Sequence, residues 1–175
     1  MSRVAIRPVR WTDAFELMKA NYESRSHHLP WVQPFLDRDG FEQWFGRLLT
    51  GPNISLIARE HETNGIVGVF NISEIVWGGF RSAYLGYFGM VMFSRRGLMT
   101  EGLNLTTRYA FSEIGLHRLE ANIQPGNLAS LALIKRGGFR KEGYSPRYLK
   151  IAGEWRDHER WALLSSDVAD SAGSQ

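Results

Sequence analysis

The sequence predicts a mixed α/β (α+β) fold: a sheet of about seven strands with a central βαβ crossover and about four helices. Two observations carry this. Apolar residues repeat with period two in some stretches and at helical spacing in others, and residues 82–93, 100–114 and 118–124 read in order as strand, helix and strand. With 175 residues, 43% of them hydrophobic and 22% charged, the chain is the size of one domain and can bury a core without staples. Residues 1–165 are therefore expected to form a single domain. Residues 166–175, small, polar and aperiodic, are expected to form a flexible C-terminal tail.

Residues 3–9 alternate through Val4, Ile6 and Val9, the pattern of a short first strand with Pro8 at its end or on a sheet edge. Trp11, Ala14, Phe15 and Met18 then recur at helical spacing behind Thr12 and Asp13 as caps. A second helix is marked by Asp39 and Glu42 at capping-box spacing and by the stripe Phe41, Trp44, Phe45 and Leu48. Residues 54–59 and 66–72 are β-rich, and Asn64-Gly65 between them is a hairpin signal. Residues 82–93 form the next strand, and the helix after it places Leu103, Thr107, Ala110 and Ile114 on one face. Leu119, Ala121 and Ile123 alternate in the following strand. Asn127 then caps a short helix that Gly137-Gly138 closes. Two last strands, about residues 139–151 and 154–164, meet at Gly153.

The absence of cysteine removes a thiol nucleophile, disulfides and thiolate metal sites together, and no metal is expected. No apolar stretch approaches the length of a membrane span, and the first residues lack the apolar core of a signal peptide, so a cytoplasmic protein without membrane contact is expected. The net charge of +3 is mild and no run of lysine or arginine exceeds two residues, which favours a small acidic ligand over nucleic acid.

Residues 94–102, Ser-Arg-Arg-Gly-Leu-Met-Thr-Glu-Gly, lie where a strand hands over to a helix. A helix start offers unpaired N–H groups and the positive end of the dipole, so Arg95, Arg96 and Gly97 at that point suit a phosphate or pyrophosphate. A plain turn with solvated arginines is the competing reading. Neither the Rossmann nor the P-loop spelling is present.

Taken together, Tyr84-Leu85-Gly86-Tyr87, Arg96-Gly97-Leu98-Met99 with Glu101, Leu116-His117-Arg118, Asn127 with Ser130, Gly138-Phe139 with Glu142-Gly143-Tyr144, and Trp155-Arg156-Asp157-His158 resemble the GNAT superfamily of acyl-CoA N-acyltransferases. The branch they look like is RimJ/RimL, whose members acetylate N-terminal α-amino groups of ribosomal proteins. The resemblance implies a twisted, mostly antiparallel sheet and acetyl-CoA as cosubstrate. It also implies that the backbone of Met90, Val91 and Met92 binds the pantetheine arm, with an oxyanion donor among the N–H groups of Val91 and Met92. The loop of Arg95, Arg96, Gly97, Leu98, Met99 and Thr100 would take the pyrophosphate, and Asn127 the pantetheine. Ser130 resembles the serine that reaches the CoA sulfur in this branch, where many relatives instead place a tyrosine at the position of Ile134. Of the three defined loop positions, held here by Ser94, Gly97 and Met99, only the glycine is kept. Arg95 then either supplies a cation to the diphosphate or obstructs the loop.

An α-amino group with a pKa near 8 is already partly neutral at cellular pH, whereas a lysine amine needs about 3 kcal/mol more help. With no strong base evident, the reading is an acetyl-CoA-dependent N-acetyltransferase acting on a protein or peptide N-terminus, with Ser130 protonating the thiolate. Glu120 is the first candidate base and Glu74 the second. His28, Trp31 and Glu74 are expected in the acceptor pocket, while Asp157 is expected to be structural, because adjacent strand residues face opposite ways. A small-amine acetyltransferase, acting on an antibiotic or aminoacyl metabolite, and a non-catalytic CoA-binding module remain open, as does a monomer or homodimer.

Overall fold

The computed structural model describes residues 2–172. Seven strands form one sheet in the order β1-β2-β3-β4-β5-β7-β6. They are β1 (Val4–Pro8), β2 (Ile54–Glu60), β3 (Ile66–Val76), β4 (Ser82–Gly89), β5 (Arg118–Ile123), β6 (Arg140–Ile151) and β7 (Glu154–Leu164). Every neighbouring pair is antiparallel except β4 and β5, the parallel pair joined by the predicted crossover. The crossover helix is α4 (Leu98–Tyr109), continued by a π-helical turn, Ala110–Ile114, that Gly115 ends at φ 82°.

Helix α4 buries Leu98, Leu103 and Thr106 against the sheet. Gly102 sets how closely it sits, because a Cβ there would lie 2.8 Å from the Phe70 ring. Phe70 thus points to the α4 face, and Asn71, next in the strand, points to the other. That second face lies under α1 (Ala14–Glu23), α2 (Arg25–His28) and α3 (Arg38–Thr50), which contribute the fully buried Leu17 and Phe41. Helix α5 (Leu128–Arg136) follows β5, and Asn127 caps it as predicted by accepting from the Ser130 N–H at 3.2 Å.

Several expectations change. Asp37, not Asp39, caps α3, accepting from the Gly40 N–H at 2.8 Å; the capping role falls to whichever residue is still extended when the helix begins, and Asp37 has ψ 174°. Phe15 and Trp11 stay 77% and 46% exposed while Leu17 and Asn21 turn inward, because Trp11–Asp13 is a 3-10 turn that shifts the phase of α1. Asp13 serves Arg7 instead of capping α1, at 2.6 and 2.8 Å. Burial works against its ionisation, yet hydrogen bonds from Arg7 and the Arg10 amide hold its carboxyl below the usual range. The fourth strand stops at Gly89, and Val91–Phe93 form a 3-10 turn in place of its last residues. Beyond β7 the chain continues as helix α6 (Ser165–Ala172), which Asp167 starts by accepting from the Leu164 N–H at 3.1 Å; residues 173–175 lie outside the described residues.

Candidate active site

Strands β4 and β5 are paired only at Ser82–Arg118, Ala83–Leu119 and Tyr84–Glu120, and then they part. The register of β4 against β3 shows which backbone groups this frees. The Met90 N–H donates to the Val67 carbonyl, so by antiparallel alternation Gly86 and Phe88 also direct their polar groups at β3, while Tyr87 and Gly89 direct theirs at the open edge. The corner between α1 and α2 covers the far end of that edge. His28 donates from Nε2 to the Gly89 carbonyl at 2.8 Å, and Ser24 Oγ accepts from the Val91 N–H at 3.0 Å.

Both residues of this corner are buried. Burial pushes the His28 imidazole below its ordinary pKa, with His27 adding to the effect and the Gly89 carbonyl opposing it, which keeps the ring neutral with its proton on Nε2. His28 therefore braces the strand end. The Val91 N–H is already engaged by Ser24, and the Met90 N–H by β3, so the backbone groups left open on this edge are those of Tyr87 and the Gly89 N–H. Met92 is 72% exposed beside it. Sequence spacing held no sign of Ser24, since its partner lies 67 residues away.

Across the gap stands a pair of hydroxyls. Ser130, in the first turn of α5, lies 2.8 Å from the Tyr87 phenol oxygen, and the same phenol reaches the Ser130 carbonyl at 3.3 Å. Burial drives the Tyr87 pKa up to about 12, against the pull of the Ser130 hydrogen bond, so the phenol stays protonated at any cellular pH. In the sequence Tyr87 stands out only as part of the Tyr84-Leu85-Gly86-Tyr87 motif. Its alternation with buried Leu85 on the α4 face was the available signal.

The phosphate-type loop is partly committed to the fold. Arg96 pairs with the buried Glu60, and its carbonyl accepts from Arg3 at 3.1 Å. Met99 lies over Gly68 and Gly89, where any Cβ would meet its thioether at 2.5 and 3.2 Å, so its side chain is a packing element. Thr100 accepts from Arg136 at 3.3 Å. Leu98 is fully buried. What remains uncommitted is Gly97, at φ 78° and with no side-chain cap for α4, and Arg95 at φ 59°, whose side chain has no hydrogen bond or ion pair among the described residues.

On the α1–α3 face, Glu120 accepts from Arg118 at 2.8 Å, and Arg118 also pairs with Glu142. Tyr84, opposite Glu120, has its pKa raised first by the Tyr148 hydroxyl of β6 and then by burial and the nearby charges of Glu120 and Glu74. Glu74 sits at φ 52° in a bulge of β3 and its N–H donates to Asn53 at 3.1 Å. Trp31 reaches the β5–α5 turn, where a Cβ on Gly126 would lie 3.1 Å from its ring. Asp157 accepts from the Tyr144 hydroxyl and the Arg147 N–H at 2.5 and 2.8 Å, holding a kink in β6. Among the described residues no group of histidine, aspartate and glutamate is placed to hold a metal ion, and no helix is long and apolar enough to cross a membrane.

A parallel pair that parts beside one uncapped and one capped helix start defines a site for an extended ligand with an anionic group, ending at a hydroxyl pair. The chain belongs to the GNAT acetyltransferases: the family model described as an acetyltransferase (GNAT) domain matches residues 3–140. The Escherichia coli [ribosomal protein uS5]-alanine N-acetyltransferase is 34% identical over 174 residues, covering 94% of this chain and 89% of that protein. The probable N-acetyltransferase YjcK of Bacillus subtilis is 38% identical over 102 residues, 58% of this chain and 56% of the relative. Mycobacterium smegmatis RimJ, solved with CoA-disulfide, superposes with a TM-score of 0.82 at 28% identity, over 97% of this chain and 89% of that one. The protein is thus a GNAT N-acetyltransferase, similar to RimJ. Acetyl-CoA binding follows from the family and from that CoA complex.

Proposed function

We propose that the chain moves the acetyl group of acetyl-CoA to the α-amino group of a protein or peptide N-terminus, with Ser130 as the acid. The observation that carries this is the Ser130–Tyr87 hydroxyl pair at the parting of β4 and β5. The uncapped start of α4 at Gly97, with Arg95 beside it, suits the diphosphate, and the open edge at Tyr87 and Gly89 suits the pantetheine amides. The acceptor nitrogen bonds to the thioester carbonyl carbon, the carbon–sulfur bond breaks, and the sulfur takes the Ser130 proton. A donated hydrogen bond from the Tyr87 phenol orients Ser130 toward the gap. The surplus proton of the amine passes through water to Glu120, which is ion-paired with Arg118 at 2.8 Å, and from there returns through water to Ser130. An acceptor with a pKa near 8 suits so weak a base, and the acceptor named for the E. coli relative, an alanine of ribosomal protein uS5, is of this kind.

The test is incubation with acetyl-CoA and a panel of N-terminal peptides, lysine peptides and small amines, followed by mass location of the added acetyl group. Acetylation at the peptide α-amine is expected. Modification confined to lysine side chains or to small amines overturns the acceptor assignment, and CoA binding without turnover on any amine overturns the catalytic one.

A further inference from the structure

Beside the parting strands, a cavity of about 260 Å³ opens between α3 and the β2–β3 face, walled on one side by Trp44 and Leu48. Its floor is Ser55 and Asn71, a cross-strand pair in which Ser55 Oγ donates to Asn71 Oδ1 at 2.5 Å. Two groups are left to a ligand: the Asn71 amide N–H, which has no partner among the described residues, and the remaining lone pairs of Ser55. Arg47 lines one wall and Glu74 another, and neither forms an ion pair among the described residues.

Asn71 pairs with Gly86 of β4, the strand whose far edge borders the gap. A Cβ on Gly86 would meet nothing within 4 Å, so the surface of β4 between the gap and the cavity is open at this glycine. Adjacent strands lie about 5 Å apart, which puts the Asn71 side chain about 10 Å from an amine held in the gap, and an extended peptide covers that in about three residues at 3.3 Å each.

The geometry points to a specificity pocket for the third residue of the acceptor peptide, selecting an uncharged side chain that both donates and accepts, an amide above all; this rests on the N-terminal reading given above. A cation drawn to Glu74 is repelled by Arg47 and an anion meets the reverse, whereas an aliphatic side chain strands the Asn71 N–H without its partner. An amide meets donor with acceptor and acceptor with donor.

The experiment measures kcat/KM with acetyl-CoA for alanine-started pentapeptides that differ only in glutamine, leucine, lysine or aspartate at the third position. Glutamine is expected to exceed leucine and both charged residues by about tenfold, the worth of one good hydrogen bond. In Asn71→Leu the glutamine-to-leucine ratio is expected to fall to one or below. In Gly86→Val, where the new side chain has room but narrows the passage, that ratio is also expected to collapse. Equal rates on all four peptides, or an unchanged ratio in both variants, overturn the pocket while leaving N-terminal acetylation standing. No acetylation of any of the peptides overturns both.

Discussion

Two helix starts flank the gap between β4 and β5, and they are finished differently. The α5 start is closed by its own sequence, with the Asn127 side chain occupying the Ser130 N–H at 3.2 Å. The α4 start has glycine at the cap position and no side chain on its first N–H groups, although Glu101 lies in its first turn and is turned outward to Arg3 at 2.7 Å. A cap spent internally fixes a side chain, and an omitted cap leaves the dipole end to a ligand. On the proposed function the first would serve chemistry at Ser130 and the second binding. The contrast separates effects on kcat from effects on KM.

Ser130→Ala is the most direct way to break that separation. Loss of the acid is expected to lower kcat by about 100-fold or more, within the usual range for general acid catalysis. The KM for acetyl-CoA and the melting temperature should barely move, because the Asn127 cap acts on the Ser130 backbone. Steady-state kinetics with a peptide acceptor reads the first, and thermal denaturation the second. A large rise in KM with kcat intact would place Ser130 in binding instead.

Gly97→Val tests the open start. A β-branched residue at φ 78° carries about 1–2 kcal/mol of strain and relaxes by withdrawing the N–H groups from the ligand. The KM for acetyl-CoA is expected to rise about tenfold with kcat little changed; titration of CoA by calorimetry checks the same loss directly. At the closed start, Asn127→Ala is expected to cost about 1 kcal/mol of stability, as a lost N-cap does, and to lower kcat less than the Ser130 variant. Denaturant unfolding and kinetics on the same preparation measure both. If Asn127→Ala raised the KM for CoA as much as Gly97→Val, the two starts would not differ in the way described.

Much of this was legible in the sequence because it is local. The Asn127 cap, the left-handed Gly97 and the parallel crossover each depend on residues within a few positions of one another, and periodicity reports them. The misread parts depend on partners far along the chain. Arg96, read as a phosphate ligand, also pairs with Glu60, 36 residues earlier. His28, read as a pocket residue, donates to the Gly89 carbonyl, 61 residues on. Tyr87 and Ser130 lie 43 residues apart on different elements, and nothing in either local pattern announces their contact. The 3-10 turn at Trp11–Asp13 also rotates the inner face of α1, leaving Ala14 buried but turning Phe15 out and Leu17 in.

The smallest expected effect belongs to Tyr87, between the two helix starts. Its folded pKa, about 12, lies above the value near 10 expected of the unfolded chain, so the folded state retains a proton that the unfolded state releases. The neutral phenol's contribution to stability is full below pH 10 and is lost as the pH rises toward 12. At pH 11 the loss amounts to about 1 kcal/mol. Tyr87→Phe has no phenol to ionise in either state and should escape this part of the alkaline decline, whatever its stability at pH 8. Denaturant unfolding of both proteins at pH 8 and pH 11 measures the difference. Equal declines would mean that the phenol is solvated enough to ionise in the fold, and Ser130 would then lack a neutral donor behind it at alkaline pH.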